Sequence, residues 1–496
     1  MLAYDELTPP ERELWDAFPA GRWVDLRTGT AEADDPAGGD RWGPERTVRA
    51  EVIAALLLGA NAAPAGAVAS LRLAGARITG RLDLAGAEIS HTLWLKWCRL
   101  EERASFYGAS TRTIRIVDSR LPGLNGGLAR IEGYLDLARS TVDGSGLSLV
   151  NTHVAGELSL NRATIRSPGR WSVFAGGLVM GGALFAKGLR TDGGLRLLGA
   201  QLPGGFYLAD ARLGDTDGLT LLMDNATGST VRCTDGFTAR GTVRLRGAQI
   251  ADLVSFEGAR LRGAKKALVC IGMRCEDLDL AFGERPSGAL DLRSAQATWY
   301  QDTEDTWPEV LELEGFSYGS ARFESVDSSF RDDVARRLRW VRHSPRYHPQ
   351  PYEQLASCYR RLGHDDEARR VLLAKQRHRR RTLHPAGRAW GRLLDGTVGY
   401  GYRPWLAGIW LIALTLLGAL VFRTASPVPN KPGEGPPFNA FVYTLDLLIP
   451  IGGLGQRGAW HFPSGVPQAL SYLLVALGWM LTTAVVAGVT RMLNRN

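Results

Sequence analysis

The chain has 496 residues, of which 45% are hydrophobic, 22% charged and 8% aromatic, and this composition excludes general disorder. The length is large for one compact core, so we expect more than one structural unit. Glycine is in excess, with 59 residues, but without the Gly-X-Y period of collagen. Five scattered cysteines are too few for a disulfide framework, which favours a reducing compartment, and the acidic start predicts no cleavable export signal.

The formal net charge of +8 is concentrated in one segment. Residues 331–403 hold 18 Lys and Arg against 7 Asp and Glu, a local balance of +11. Such a segment suits either nucleic acid or an anionic membrane, and its neighbours in the sequence decide between the two. Because membrane spans follow it, we expect anionic lipid of the inner leaflet as its partner and consider nucleic acid the weaker alternative.

The first predicted element is a helix over Pro44–Gly59 (PERTVRAEVIAALLLG), which would cap the structure that follows. From Leu71 the sequence recurs about every eleven residues, with copies such as LRLAGARITG from Leu71, LDLAGAEISH from Leu82 and LELEGFSYGS from Leu311. The template alternates apolar and polar residues and then turns at Gly, which is the periodicity of strands and not of helices. Repetition over some 250 residues predicts a solenoid.

Two eleven-residue units would form one coil of a β-helix. About eleven coils stacked at roughly 4.8 Å would give a rod near 50 Å long, filled by inward Leu, Val, Ile and Ala. A helix over Asp332–Arg342 would cover the far end. The next stretch, Pro351–Gln376, resembles one tetratricopeptide unit, and because a single unit cannot form a groove we interpret it as a helical hairpin. A basic cluster follows, which we expect to face lipid, at Arg377, Arg379, Arg380 and Arg381.

Two uncharged stretches predict transmembrane helices over residues 404–422 and 467–490. Tyr400, Tyr402, Trp405 and Trp410 would form an interfacial belt at the first span. Both outer flanks are basic, so the positive-inside rule places both termini in the cytoplasm and the connector, residues 423–466, outside. The chain is then a two-pass protein of the cell membrane.

The connector contains an apolar stretch over residues 438–456 that is too short to span a membrane. It ends in a glycine-rich turn where a re-entrant loop would reverse, and Asp446 is its one ionisable residue. We therefore regard Asp446, Gly452, Gly453 and Gly455 as candidates for a function within the membrane. The alternative is an interfacial amphipathic helix with Asp446 in water.

Four further motifs lack the context that their chemistry requires. Gly453–Gly458 fits G-x-G-x-x-G without a strand before it, and Gly315–Gly319 fits G-x-S-x-G within the repeat. Thr397–Gly401 spells TVGYG, but the basic segment before it cannot span a membrane. The cysteines lack metal-ligand spacing. We predict no catalytic, cofactor or metal site.

Several stretches of the chain together resemble an actinobacterial family whose members are usually called membrane-associated oxidoreductases. They include GPERTVRAEVIAALLLG, the LDLAGAEI-type repeats, DEARRVLLAKQRHRRR, TVGYGYRPW and YTLDLLIPIGGLGQ. The middle of that family resembles pentapeptide-repeat and bactofilin-like β-helices. The resemblance implies an oxidoreductase by name, and it supplies no catalytic motif to carry over to residues of this chain.

The sequence therefore predicts a mainly β protein, in which a β-helical solenoid is joined to a basic helical adaptor and two transmembrane helices. The expected divisions of the soluble part are a helical cap at 1–69, the solenoid at 70–330 and the adaptor at 331–403. They are followed by the first transmembrane helix at 404–422, the connector at 423–466, the second transmembrane helix at 467–490 and a tail at 491–496. We expect a membrane-anchored scaffold or sensor whose solenoid docks a protein partner, with self-association left open. One alternative is an oligomeric channel that is gated by the solenoid and built from the two membrane helices and the loop at residues 438–456. The other is the oxidoreductase that the resemblance implies.

Overall fold

A computed structural model describes residues 3–167, 169, 171–214, 218–321, 330–401, 405–431, 433–450 and 452–493. The chain divides into two compact units, Met1–Gln354 and Leu355–Asn496. Several predicted features contain residues outside the described ranges. These residues are 1–2 of the cap, 168, 170, 215–217 and 322–329 of the solenoid, 402–403 of the adaptor (including Tyr402 of the aromatic belt), Pro404 of the first span, 432 and 451 of the connector, and 494–496 of the tail.

The first unit is a β-solenoid of about eleven turns in which all described ladders are parallel, and the predicted fold class is confirmed. Each turn contributes to four ladders, numbered 1 to 4 in the order in which the chain meets them. Register partners along ladder 1 are separated by 21 residues from Leu93 to Ile114 and by 26 from Leu158 to Leu184. The prediction of two eleven-residue units per turn agrees with the spacing of 21 residues, whereas the turn with a spacing of 26 residues is longer than predicted.

Most strands are short and belong to a single ladder. Ladder 1 contains Trp23–Asp25, Ser70–Ala74, Thr92–Lys96, Ile114–Val117, Leu135–Asp136, Leu158–Ser159, Leu184–Phe185, Phe206–Tyr207, Val231–Arg232 and Leu253–Ser255. Ladder 2 contains Thr47–Arg49, Arg77–Thr79, Arg99–Leu100, Thr164–Arg166, Arg190–Thr191, Arg212–Leu213 and Thr238–Arg240. Ladder 3 contains Ala104–Ser105, Trp171–Phe174, Gly194–Arg196, Leu219–Leu222, Thr242–Arg244 and Leu311–Glu312. Ladder 4 contains Glu88–Ile89, Ser110–Thr111, Arg130–Ile131, His153–Val154, Val179–Met180, Gln201–Leu202, Thr227–Gly228 and Gln249–Ile250.

Longer strands pass from one ladder to the next without a break. Ladders 2 and 3 share Arg120–Asn125, Thr141–Ser148, Arg260–Val269 and Ser287–Asp291. Ladders 4 and 1 share Arg274–Leu280, Gln296–Asp302 and Ser317–Ala321. The corner between ladders 2 and 3 varies most in length, from two residues between Leu121 and Leu124 to seven between Ile165 and Val173.

Inward-facing apolar side chains stack in register and fill the solenoid. Leu71, Leu93, Ile114 and Leu135 occupy equivalent places in successive turns and are each no more than 1% exposed. The turns after the ladder 3 strands require a left-handed backbone, which Gly adopts without strain. Gly199 and Gly247 have φ values of 63° and 64°, and Asn225 replaces Gly at the equivalent place with φ 52°. This conformational requirement accounts for much of the glycine excess.

The N-terminal end of the solenoid is covered by helices α1 (Pro9–Ala17) and α2 (Ala50–Leu57). The prediction of one helix from Pro44 is wrong in its first part, because Pro44–Arg46 is a 3-10 turn and Thr47–Arg49 is a strand of ladder 2. Short 3-10 turns also occur at Tyr4–Glu6, Phe18–Ala20, Pro36–Arg41 and Glu304–Thr306.

The far end is covered by helix α3 (Phe330–Arg342), in agreement with the predicted Asp332–Arg342 cap. The ring of Trp340 packs at 5.5 Å from that of Tyr300 in the last turns. A buried ion pair of 2.6 Å joins Arg337 to Asp302, whose carboxylate also accepts a hydrogen bond from the Tyr300 hydroxyl. The cap is therefore attached by both packing and charge.

The second unit is helical. Helix α4 (Gln350–Arg361), which contains the boundary between the units, and α5 (Asp365–Thr382) correspond to the predicted hairpin. The remaining helices are α6 (Pro385–Val398), α7 (Trp405–Arg423), α8 (Ala440–Leu448), α9 (Gln456–Ala459) and α10 (Val466–Leu493), with a 3-10 turn at Gly399–Gly401. A two-stranded antiparallel pair joins Val428–Pro429 to Trp460–His461. Both α7 and the Val466–Thr483 part of α10 are long and apolar enough to span a membrane.

Candidate functional site

Helix α8 lies in the connector and contains the first half of the predicted re-entrant segment. Asn439 begins it, because its side-chain oxygen accepts hydrogen bonds from the backbone N–H groups of Phe441 (3.0 Å) and Val442 (3.1 Å). Asn before an apolar run is a recognised start signal for a helix, and sequence analysis could have used it here.

Helix α8 packs against both α7 and α10 at two helical glycines. A β-carbon at Gly418 of α7 would overlap the side chain of Thr444 in α8. A β-carbon at Gly478 of α10 would overlap the carbonyl oxygen of Leu448, at the end of α8. Small residues admit close approach between helices that pack within a membrane. The two glycines thus provide the space that α8 occupies.

Asp446 is buried in α8, and its carboxylate binds the backbone of the chain that follows this helix. The residue is 2% exposed. One carboxylate oxygen accepts a hydrogen bond from the backbone N–H of Leu454 at 2.8 Å, and the other accepts one from Arg457 at 2.7 Å. The alternative in which Asp446 faces water is therefore wrong, because protein groups surround and bond its carboxylate.

The predicted glycines lie in the turn that Asp446 organises. Gly452 and Gly455 have φ values of 88° and 81°, a conformation that favours glycine, whereas Gly453 does not have a positive φ. All three are exposed, as is Leu454 between them. The structure thus brings Asp446 and the turn together. Two of the three glycines adopt a left-handed backbone that other residues would adopt only with strain.

Gln456 is a residue of this site that sequence analysis missed. Its side-chain amide donates to the carbonyl of Pro437 at 2.9 Å, and its side-chain oxygen accepts from the backbone N–H of Asn439 at 3.3 Å. It is 4% exposed. These bonds join the end of the turn to the start of α8, so the segment forms a closed hairpin.

An aromatic cluster supports the end of this hairpin at which α8 begins. The rings of Phe422 and Phe462 stack at 5.1 Å, and Tyr443 meets Phe422 edge to face at the same distance. Phe438 packs on Tyr443 at 5.6 Å. The end of α7, the start of α8 and the chain entering α10 therefore meet in one apolar core.

The predicted basic cluster separates into two pairs of arginines. Arg377 and Arg380 both form ion pairs with Asp395 of α6, at 2.9 and 3.1 Å. Burial alone would raise the pKa of Asp395, but these two guanidinium groups lower it below its usual value. Arg379 and Arg381 are exposed. Two of the four arginines thus hold α5 to α6, and Arg377 stays exposed although it is paired.

The other motifs lie in ordinary secondary structure. Ser317, the serine of G-x-S-x-G, begins the strand Ser317–Ala321. Thr397 and Val398 end helix α6, and Gly399–Gly401 form a 3-10 turn, so TVGYG is not an extended filter. The G-x-G-x-x-G stretch coincides with the turn held by Asp446 and with the four-residue helix α9.

Three solenoid thiols are placed as core residues, whereas Cys275 is half-buried. Cys98, Cys233 and Cys270 are fully buried in the solenoid, and burial raises the pKa of each, that of Cys98 to about 12. Burial also raises the pKa of Cys275 to about 12. Thiols with such pKa values are poor nucleophiles near neutral pH. Among the described residues no group of His, Cys, Asp and Glu is arranged to hold a metal ion.

The solenoid carries a row of aromatic and arginine side chains on the outside of ladder 1. Trp23, Arg72, Trp94 and Arg115 occupy equivalent places in four successive strands, and we call them the Trp–Arg row. The rings of Trp23 and Trp94 meet edge to face at 4.9 Å, and the guanidinium of Arg115 lies 4.1 Å from the Trp94 ring. Trp23 is 39% exposed.

Comparison of the chain with protein-family models, with curated proteins and with solved structures finds no match. The fold and the sites described above define the chain as a β-solenoid joined to a helical unit with two helices that are able to span a membrane.

Proposed function

We propose that the chain is a membrane-anchored scaffold or sensor whose solenoid docks a protein partner at the inner face of the cell membrane. Helices α7 and α10 are the anchor, with both termini in the cytoplasm and the connector outside. The exposed Arg379 and Arg381 approach anionic lipid of the inner leaflet. The oxidoreductase that the resemblance implies stays a prediction.

The observation that carries the docking proposal is the Trp–Arg row. Trp and Arg are enriched at the centres of protein interfaces, because each combines a large contact area with directed polar contacts. The strands beneath the row are fixed by parallel ladders and a filled core, so the row is presented by a rigid surface. A rigid surface loses little conformational entropy when a partner binds.

Site-specific photo-crosslinking tests the docking surface. A photoreactive amino acid at residue 72, in the row, should yield an adduct of discrete mass in intact cells, and Trp23→Ala with Trp94→Ala should abolish it. The matched control is residue 212, an exposed position on ladder 2. Equal adducts from both positions, or none from residue 72, would remove the support for a docking role.

The anchor has a separate test. A Val428→Cys variant places a thiol at an exposed position of the connector. A membrane-impermeant maleimide should label it in intact cells, and the protein should stay with the membrane after alkaline carbonate extraction. Labelling only after the cells are opened would place the connector in the cytoplasm and contradict the proposed orientation.

A further inference from the structure

The turn of the hairpin lies far from the outer ends of the two apolar helices. Gly418, which contacts Thr444, is five residues from the end of α7, and Leu448 is four residues beyond Thr444. At 1.5 Å per residue, α8 therefore ends about 13 Å below the outer end of α7, which is itself about 28 Å long. Leu454, bonded to Asp446, lies about 10 Å below that end.

An exposed turn at this depth cannot have hydrocarbon as its neighbour. Gly452, Gly453, Leu454 and Gly455 are exposed, with 51% exposure for Leu454, so their backbone polar groups lie at the surface of the helical unit. Irregular backbone within a membrane is tolerated where protein buries it or where it lines a water-filled space. Arg457, whose backbone is bonded to the same carboxylate, is exposed as well, and a charged side chain adds to the requirement for water.

We infer that a second copy of this chain, and further copies by rotation, pack beside the turn and enclose a water-filled space that Gly452–Gly455 lines. Two spans and one hairpin are too few to surround water by themselves. A cyclic homo-oligomer supplies walls on every side with one repeated interface. This inference rests on the membrane anchor proposed above, and it makes the hairpin a route for small ions across part of the membrane.

Two matched cysteine variants test the inference in the full chain, in a Cys275→Ser background because the other described thiols are buried. Leu454→Cys places a thiol in the turn. Leu416→Cys places one on α7, 59% exposed and seven residues from its end, which is the same depth of about 10 Å. A charged, membrane-impermeant thiol reagent, applied to proteoliposomes, should modify Leu454→Cys at least about tenfold faster than Leu416→Cys, because the second thiol faces lipid.

The number of copies is measured on the unsubstituted chain by native mass spectrometry from lipid nanodiscs, which does not depend on either variant folding. We expect an oligomer, and we expect a bis-maleimide to join Leu454→Cys copies to each other. A single copy per nanodisc, or slow modification of both thiols, would overturn the inference. Fast modification of both thiols would instead show that α7 does not lie in lipid, and would overturn the proposed anchor.

Discussion

Gly478 of α10 lies against the carbonyl oxygen of Leu448, so closely that a β-carbon at residue 478 would overlap that oxygen. Replacement by Ala should force α8 and α10 apart and destabilise the hairpin by about 1–3 kcal/mol, although Ala is the better helix former. The control is Gly408→Ala in α7, where nothing lies within 4 Å of an added β-carbon and the change should be neutral or stabilising. Trypsin cleavage at the exposed Arg457 would report the loosening, and equal cleavage rates would contradict the predicted overlap.

The carboxylate of Asp446 accepts two backbone N–H groups, and an amide offers one acceptor oxygen in place of two. Asp446→Asn should therefore leave one buried N–H without an acceptor and cost about 1–3 kcal/mol. The thermal unfolding midpoint of the detergent-solubilised chain measures this loss. Glu434→Gln, at an exposed acid of the same connector, should leave the midpoint unchanged. Equal midpoints for Asp446→Asn and the parent would mean that the turn is held by other contacts.

Helix α3 offers a comparison between a buried and an exposed ion pair. Burial alone would lower the pKa of Arg337, but the Asp302 carboxylate raises it above the usual value. Asp302→Ala should cost about 3–5 kcal/mol, because a buried cation loses its counter-charge and Tyr300 loses an acceptor. Glu304→Ala, which removes the exposed partner of Arg339, should cost less than about 1 kcal/mol. Similar losses in denaturant unfolding would contradict the role assigned to burial.

Glu11 should make the N-terminal end of the solenoid sensitive to acid. Burial alone would raise its pKa, but hydrogen bonds from Arg49 and from the backbone of Thr8 lower it. A lowered pKa contributes stability above the unfolded value of about 4.3, and that stability is lost as the pH falls through the folded value. Glu11→Gln should therefore lower the unfolding midpoint at pH 7 and flatten its fall between about pH 5 and pH 3. A parallel fall in both proteins would assign the acid sensitivity to other groups.

The repeat could be predicted because each turn places an apolar residue where the previous turn has one, as Leu93 and Ile114 show. The strand at Thr47–Arg49 was missed because one isolated Val between polar residues has no period, and a helix-favouring run follows directly. Its strand conformation depends on pairing with Arg77–Thr79, a partner that local sequence does not specify.

The sequence predicted the hairpin only as a short apolar segment in which Asp446 is the one ionisable residue. The partners of Asp446 are backbone N–H groups, which every residue except Pro carries, so no side-chain pattern marks them. The pairing of Arg377 and Arg380 with Asp395 was equally hidden, because it depends on how α5 and α6 pack. The count of charged residues correctly identified the segment as basic. It could not show that two of the four arginines pair with Asp395, and so all four were assigned to lipid.

At the corner between ladders 2 and 3, the number of residues can change from turn to turn without loss of strand register. Two residues cross it between Leu121 and Leu124, and seven cross it between Ile165 and Val173, yet the strands on both sides stay paired with those of the next turn. Loop entropy rises slowly with length, so added residues there cost little. An epitope or a small folded domain inserted at this edge would extend outward, and the other three faces would keep their alignment from turn to turn.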